Sequence, residues 1–516
     1  MYIGDHARTH PDKVAVAMWP SRRELTYREL YERSTRLANL FRTAGLAEGD
    51  HIAVFSYNHP GYYVAVWAGL NAGLYVTTVN AHSTVDEAAY VVNDCGAAAL
   101  IVSDSTAAVA DELVDRTPGV RLRLSLDGTK GSYQGVDEAT ADQPSEPTAP
   151  ERRGTYMFYS SGTTGRPKGI KPPLPGGPAS DGDAVVGDGM RRQFQIDESS
   201  VYLSPAPLHH AAPLRCSMVI LDTGGTVVCL DRFDPTEALA AIEHHRVTVS
   251  QWVPTMFVRM LKLDPEVRDR YDLSSHRRAV HAAAPCPAWA KEQMIEWWGP
   301  IISEYYAGSE NIGSTSIESD EWLAHKGSVG RAAYGAIHVC DPEGRELPPG
   351  QDGLVYFDLP TEFEYHGDPE KTASIRHPTE PWRTLGDIGH LDEEGYLYLS
   401  DRATFMIISG GANIYPREIE DVIIGHRGVA DVAVFGVPDP DLGEVPLAAV
   451  QPADPDAPTD SLEAALRALC RARLARYKNP ARYEFLESLP RGEDGKLRKK
   501  PLRDRYWGED SKIVTA

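Results

Sequence analysis

Hydrophobic positions along the chain change period in a regular way. Between Thr26 and Ala44, the residues Leu30, Leu37, Leu40 and Phe41 return at helical intervals. Thr26 and Glu29 have the spacing of a reciprocal N-terminal cap, and Gly45 is the stop. HIAVFS (51–56) and AAALIVSD (97–104) are continuous apolar runs of strand length, with a predicted helix through Trp67 and Leu70 between them. Strand–helix alternation of this kind predicts parallel sheets with helical crossovers, an α/β fold.

Two polar stretches interrupt the pattern. Residues 127–153 (DGTKGSYQGVDEATADQPSEPTAPERR) read as a surface excursion. Residues 171–189 (KPPLPGGPASDGDAVVGDG) are rich in Pro, Gly and Asp and read as a mobile loop. Towards the C-terminus, VADVAVFGVPDP (429–440) predicts a strand and turn, and LAAVQPAD (447–454) a second strand. Asp460 with Glu463 predicts the cap of a helix running through Leu466 and Leu469. This is the texture of a small α+β domain whose boundary lies near LSDRATF (399–405).

A length of 516 residues exceeds what one core usually supports, so more than one domain is expected. The formal net charge of −22 sets the surface against nucleic acid and anionic membranes. Any phosphate ligand must be held locally, by basic side chains and backbone N–H groups. The most apolar stretch, YYVAVWAGLNAGLYV (62–76), is too short to span a bilayer. Six cysteines (Cys95, Cys216, Cys229, Cys286, Cys340 and Cys470) follow no metal-type spacing. They predict reduced, mostly buried thiols in a cytoplasmic protein.

The candidate chemistry begins at YSSGTTGRPKG (159–169). Its spacing departs from G-x-x-x-x-G-K-[ST], which argues against a Walker-type NTPase. The ingredients of phosphate binding are nevertheless present. Gly162, Gly165 and Gly169 admit an oxyanion close to the backbone. Ser160, Ser161, Thr163 and Thr164 offer hydroxyl donors, and Lys168 a point charge. A solvated Ser/Gly turn has the same local composition, so the loop alone does not decide.

The whole string resembles the signature loop of the AMP-forming acyl-CoA synthetase (adenylate-forming) superfamily, and further motifs follow in that family's order. PLHHAAP (207–213) resembles the segment bordering the acid substrate, with His210 at its histidine position. HAAAPCP (281–287) resembles the adenine loop, where Ala283 and Ala284 are small enough for close contact. EYYAGSEN (304–311) resembles Y-G-x-T-E: Tyr306 would stack on adenine, Ser309 bond the phosphate or acyl group, and Glu310 bind Mg²⁺. Ala307 and Ser309 depart from the family's Gly and Thr. TLGDIGHLDEEGYLYLSDR (384–402) resembles the ribose stretch, with Asp387 accepting both hydroxyls and Arg402 donating to ribose or phosphate. Thr404 stands at the family's hinge position without its usual charge. Gly410 and Gly411 resemble the glycines of the pantetheine tunnel, and Lys496 the lysine of the C-terminal motif.

The resemblance implies a large N-terminal domain (1–402) of parallel-rich αβαβα sheets with a small β-barrel-like subdomain. It also implies a small mobile α+β C-terminal domain (403–516) that alternates between half-reactions. The implied chemistry is ATP- and Mg²⁺-dependent conversion of an acid to its adenylate, then transfer to an acceptor, with CoA expected. Lys168, Glu310, His210 and Lys496 would be the catalytic set. The phrases HAAAPCP, EYYAGSE and DRATFMIISGGANIYP are most similar to bacterial acyl-CoA ligases. Three other readings share these motifs: a diazotase that adenylates nitrite for an aromatic amine without CoA, a luciferase-like oxygenase, and an inactive nucleotide-binding homologue. The family often forms homodimers, which nothing in the sequence demands. Pocket walls are expected around His210, Trp252 and Met256.

Overall fold

A computed structural model describes residues 2–160, 167–181, 184–402, 405–410, 412–440, 442–456, 458–491 and 497–507. The chain divides into two compact units. The first holds residues 1–252, 259–281 and 361–373; the second holds 253–258, 282–360 and 374–516.

The expected elements of the first unit are present. The helix Tyr27–Thr43 is capped reciprocally by Thr26 and Glu29, and it buries Leu30, Leu37 and Phe41. At Gly45 the backbone turns left-handed (φ +80°), where a Cβ is disfavoured. His51–Phe55 and Ala97–Val102 are buried strands separated by the helix Pro60–Asn71. They belong to an eight-stranded sheet. Its central strands run parallel: His51–Phe55 lies between Tyr75–Val79 and Ala97–Val102. A fully buried strand needs no polar alternation, which explains the unbroken apolar runs. A second sheet of this unit places Val201–Ser204 between Thr226–Leu230 and Val249–Trp252, again in parallel.

The two polar stretches are more ordered than their composition predicts. In the first, Tyr133 and Val136 are buried, and Gln134–Gly135 and Val136–Ala139 form a short strand and a helical turn. In the second, a helix, Ala184–Phe194, starts well before its end and packs against the helix Ala211–Thr223.

In the second unit, Ile302–Ala307, Ser314–Glu318 and Ser328–Tyr334 form an antiparallel meander. Arg383–Leu391 and Leu397–Arg402 form an adjoining antiparallel pair. Gly330 sits at φ +98°, where a Cβ would fall 2.0 Å from the Ser316 carbonyl oxygen. Nearer the C-terminus, Val429–Asp439 and Gly443–Pro452 pair antiparallel, as the alternation predicts. Ile419 and Ile423 of the helix Pro416–Ile424 share a buried cluster with Val432, Val434 and Val450 from those strands. The helix Thr459–Arg473 completes that cluster through Leu462, Leu466 and Cys470. The expected cap is corrected here. Pro458 holds the N-cap position with no side-chain hydrogen bond, and Asp460 lies inside the first turn.

All six cysteines are free and buried. Burial raises the thiols of Cys95, Cys216 and Cys229 to about 12. Among the described residues no helix is long and apolar enough to cross a membrane.

Candidate active site

The phosphate-loop candidates stand between two strands of the first unit. Thr155–Ser160 and Lys168–Lys171 pair antiparallel in the register Ser160↔Lys168, Tyr159↔Gly169 and Phe158↔Ile170. The base of the loop is therefore closed by backbone hydrogen bonding, and Lys168 is the first residue of the returning strand. Ser161, Gly162, Thr163, Thr164 and Gly165 lie outside the described residues. Gly169 has a packing reason. A Cβ there would fall 2.3 Å from Cε of Met157 and 3.1 Å from the Tyr159 ring. The Tyr159 hydroxyl donates to Asp94 at 2.6 Å, which holds that ring over the strand.

Lys168 is a quarter exposed, and its ammonium forms a close ion pair with Asp368. This partner was not singled out in the sequence. The run D-P-E-K-T signals a helix start, since Pro369 opens the helix Pro369–Ser374, but nothing in it points two hundred residues back.

His210 is the N-cap residue of the helix Ala211–Thr223, in extended conformation and without a side-chain cap bond. Its ring lies 4.2 Å from that of His209. The Thr78 hydroxyl donates to the His209 carbonyl at 2.7 Å, fixing this turn to the eight-stranded sheet. Trp252 belongs to the core. It is 1 % exposed, and its indole N–H donates to the Ser250 hydroxyl, which in turn lies 2.6 Å from Nε2 of His276. Met256 is buried as well.

The nucleoside candidates belong to the second unit. Tyr306, near the end of the strand Ile302–Ala307, donates its hydroxyl to Asp387 Oδ2 at 2.5 Å. Asp387 is 8 % exposed and pairs across the ladder with the backbone of Arg402. The local sequence explains the geometry. Gly386, at φ +84°, turns the backbone just before Asp387. A Cβ at Gly313 would fall within 2.2 Å of the Phe357 ring, which packs 6.1 Å from the ring of Tyr306. Ser309 and Glu310 are half-buried on the turn after that strand. Gly308 leaves room there: a Cβ would lie 2.4 Å from Leu385 and 2.6 Å from Oε2 of Glu310. Ala283 is exposed with φ +77°, a left-handed conformation costly for a residue with a Cβ, beside half-buried Ala284. Gly410 is also left-handed, and its N–H donates to the Leu442 carbonyl at 2.8 Å. Gly411, Thr404 and Lys496 lie outside the described residues.

Beneath the strand of Tyr306 is a buried ion pair absent from the sequence reading. Lys291 Nζ is 2.6 Å from Glu304 Oε2, and the two side chains are 0 % and 7 % exposed. The ammonium also lies 4.8 Å from the Trp322 ring centroid.

A model of the AMP-binding enzyme family matches residues 3–363, and one of the AMP-binding enzyme C-terminal domain matches residues 418–496. The chain belongs to the AMP-binding enzyme family. This AMP-binding enzyme is 35 % identical over 495 residues to a feruloyl-CoA synthase of Amycolatopsis sp, covering 93 % of this chain and 94 % of that one. It is 32 % identical over 522 residues to the fatty acid–acyl-carrier-protein ligase ScoC of Streptomyces coeruleorubidus, covering 99 % and 96 %. Among solved structures, ATP-bound MatB from Rhodopseudomonas palustris superimposes with a TM-score of 0.81 at 28 % identity, over 98 % of this chain and 99 % of that one. The enzyme is thus an AMP-forming ligase of the acyl-CoA synthetase type, with the large and small domains of that fold.

No group of three or more His, Cys, Asp or Glu able to hold a metal occurs among the described residues. A single half-buried carboxylate at Glu310 suits Mg²⁺, which keeps several waters and takes phosphate oxygens from its nucleotide. It does not suit a resident metal cage.

Proposed function

We propose that this enzyme converts a carboxylic acid to its acyl-adenylate with release of pyrophosphate, and then transfers the acyl group to the thiol of CoA. A carboxylate oxygen attacks the α-phosphorus of ATP, and the bond to the β-phosphate bridging oxygen breaks. The thiolate sulfur then attacks the acyl carbon, and AMP leaves. The observation that carries this reading is the meeting, within the second unit, of the Tyr306 hydroxyl with Asp387, which itself pairs across a ladder with the Arg402 backbone. In it a phenol is held beside a carboxylate able to accept both ribose hydroxyls.

Negative charge grows on the phosphoryl oxygens in the transition state, so preorganised cations and donors supply the catalysis. Lys168 and the hydroxyls of Ser160, Ser161, Thr163 and Thr164 are assigned to the β- and γ-phosphates. Gly162 and Gly165 are assigned to close backbone approach. Ser309 is assigned to the phosphate or the acyl group, Glu310 to the Mg²⁺ that accompanies ATP, and His210 to the acid. Mg²⁺ would neutralise phosphate charge. Ala283 and Ala284 are assigned to the adenine, and Arg402 to ribose or phosphate. Lys496 is assigned, on its motif alone, to bridging carboxylate and α-phosphate. Gly410 and Gly411 are assigned to the pantetheine path. Support at Gly410 is that a Cβ would meet Leu442 at 3.2 Å in a left-handed turn. The domain division at residue 402 and rotation about Thr404 belong to the same proposal.

The relatives are named for a cinnamic-type acid and for a fatty acid, and for CoA and an acyl-carrier protein. The test is therefore a pyrophosphate-release screen over aromatic acids, fatty acids and nitrite, each with CoA, with acyl-carrier protein and without acceptor. ATP conversion to AMP and pyrophosphate, with thioester appearing only when CoA is added, is the expected result. Production of ADP and phosphate contradicts adenylation. Turnover with nitrite and an aromatic amine alone identifies the diazotase.

A further inference from the structure

The strand that leaves the phosphate loop receives a second segment of the chain, residues 361–373, which belong to the same unit. Glu364 and Tyr365 pair antiparallel with Lys171 and Ile170. The His366 N–H donates to the Gly169 carbonyl at 2.8 Å, and its Nε2 lies 3.0 Å from the Asp94 carbonyl oxygen. Then comes Asp368, whose two carboxylate oxygens do different things. Oδ1 accepts the Lys371 N–H at 2.8 Å, the bond of a helix N-cap. The Asp368 carbonyl accepts the Thr372 N–H at 3.0 Å and its hydroxyl at 2.9 Å. With that side chain anchored, Oδ2 meets the ammonium of Lys168. The bond from Lys168, with the cap bond from Lys371 second, holds the Asp368 carboxyl below the usual carboxylate range.

We propose that Asp368 is a positioning residue for Lys168, holding its ammonium at the base of the phosphate loop so that its remaining N–H groups meet the β- and γ-phosphates. This rests on the reading of Lys168 as a phosphate ligand. A lysine side chain has four rotatable bonds, and on a chain of net charge −22 a released ammonium has other carboxylates to visit. Asp368 removes that freedom before the nucleotide arrives, because its own position is set by a helix cap and a strand pairing rather than by Lys168. The carboxylate also repels the polyphosphate. The ammonium stands between the two anions, so that repulsion acts over roughly twice the distance of either attraction.

The test uses the full chain and two probes, Mg²⁺ with α,β-methylene-ATP and AMP, with affinities measured by calorimetry. Asp368→Asn keeps an oxygen for the Lys371 N–H while removing the charge. Asp368→Ser keeps a capping hydroxyl but is too short to reach Lys168, and serves if the first variant folds poorly. Both variants are expected to weaken α,β-methylene-ATP by roughly three- to tenfold, the scale of one immobilised long side chain. AMP, which lacks β- and γ-phosphates, is expected to bind within twofold of wild type. Lys168→Ala with Asp368→Asn is expected to bind α,β-methylene-ATP no more weakly than Lys168→Ala alone, since Asp368 acts only through Lys168. Unchanged or tighter binding in Asp368→Asn, equal loss for AMP, or additive loss in the double variant overturns the proposal. If Lys168→Ala itself leaves α,β-methylene-ATP unaffected, the phosphate reading of Lys168 fails and takes this proposal with it. A loss on Lys168→Ala with none on Asp368→Asn removes Asp368 alone.

Discussion

Replacing Lys291 by Met removes one half of the buried pair with Glu304. The 2.6 Å contact joins a helix residue with no solvent exposure to a carboxylate 7 % exposed, two residues before Tyr306 on the same strand. Methionine fills the volume well, so the cost is dominated by the buried carboxylate losing the Lys291 ammonium. Breaking such a pair from one side costs about 3–5 kcal/mol. Loss of the ammonium from the face of Trp322, 4.8 Å away, adds about 0.5–1 kcal/mol. For a cooperative unit of this size, each kcal/mol lowers Tm by about 2–4 °C, so the unit should melt roughly 7–24 °C lower. Calorimetry at pH 7.5 reads this shift. Deprived of the Lys291 ammonium, the Glu304 carboxyl should hold its proton more readily in the folded variant than in the unfolded chain. Stability lost at neutral pH should therefore return in part as pH falls. Adding Glu304→Gln should recover more than half of the loss, because an amide carries no charge to desolvate. A Lys291→Met protein melting within 2 °C of wild type, or one that loses further stability on acidification, would refute the claim that this pair is a desolvated charge pair holding the strand.

Four further outcomes are expected. Tyr306→Phe removes the hydroxyl bond to Asp387 and should raise KM for ATP in pyrophosphate exchange by roughly three- to thirtyfold, with the KM for the acid unchanged. Burial lowers His276 to about 3, so the unfolded chain takes up a proton first as pH falls below the usual 6.5; between pH 7.5 and pH 5 this histidine should cost about 2 kcal/mol, a slope that urea unfolding should find missing in His276→Gln. Gly330→Ala should destabilise by about 3 kcal/mol or more by the same measurement, since its Cβ would enter the Ser316 carbonyl in a left-handed conformation. Native protein should react with Ellman's reagent many times more slowly than unfolded protein, as every thiol is buried and burial raises the pKa of each, that of Cys340 to about 11.

What was legible in the residues follows from how local each signal is. The cap of Thr26 and Glu29 involves atoms three residues apart, so spacing alone finds it. Asp460 and Glu463 have the same spacing and no cap, because Pro458 already sets the helix start. The buried strands announced themselves by unbroken apolar runs. In 171–189 the start of the helix Ala184–Phe194 is hidden from the pattern, because Val185 and Val186 among small residues give too weak a period to outweigh Gly and Asp. At the site, the motifs name Tyr306 and Asp387 separately, and the direct bond between them is visible only in the structure.

The amino-acid sequence by itself determined the α/β class and the family, because each is written in short contiguous strings. Only the tertiary structure decided which charges face one another. Asp368 comes to Lys168, and Glu304 to Lys291, through strand pairing and helix packing. A lone aspartate before a proline or a lysine on a helix carries no sign of its partner. Electrostatic partnership depends on distance and burial in three dimensions, and neither has a period along the chain.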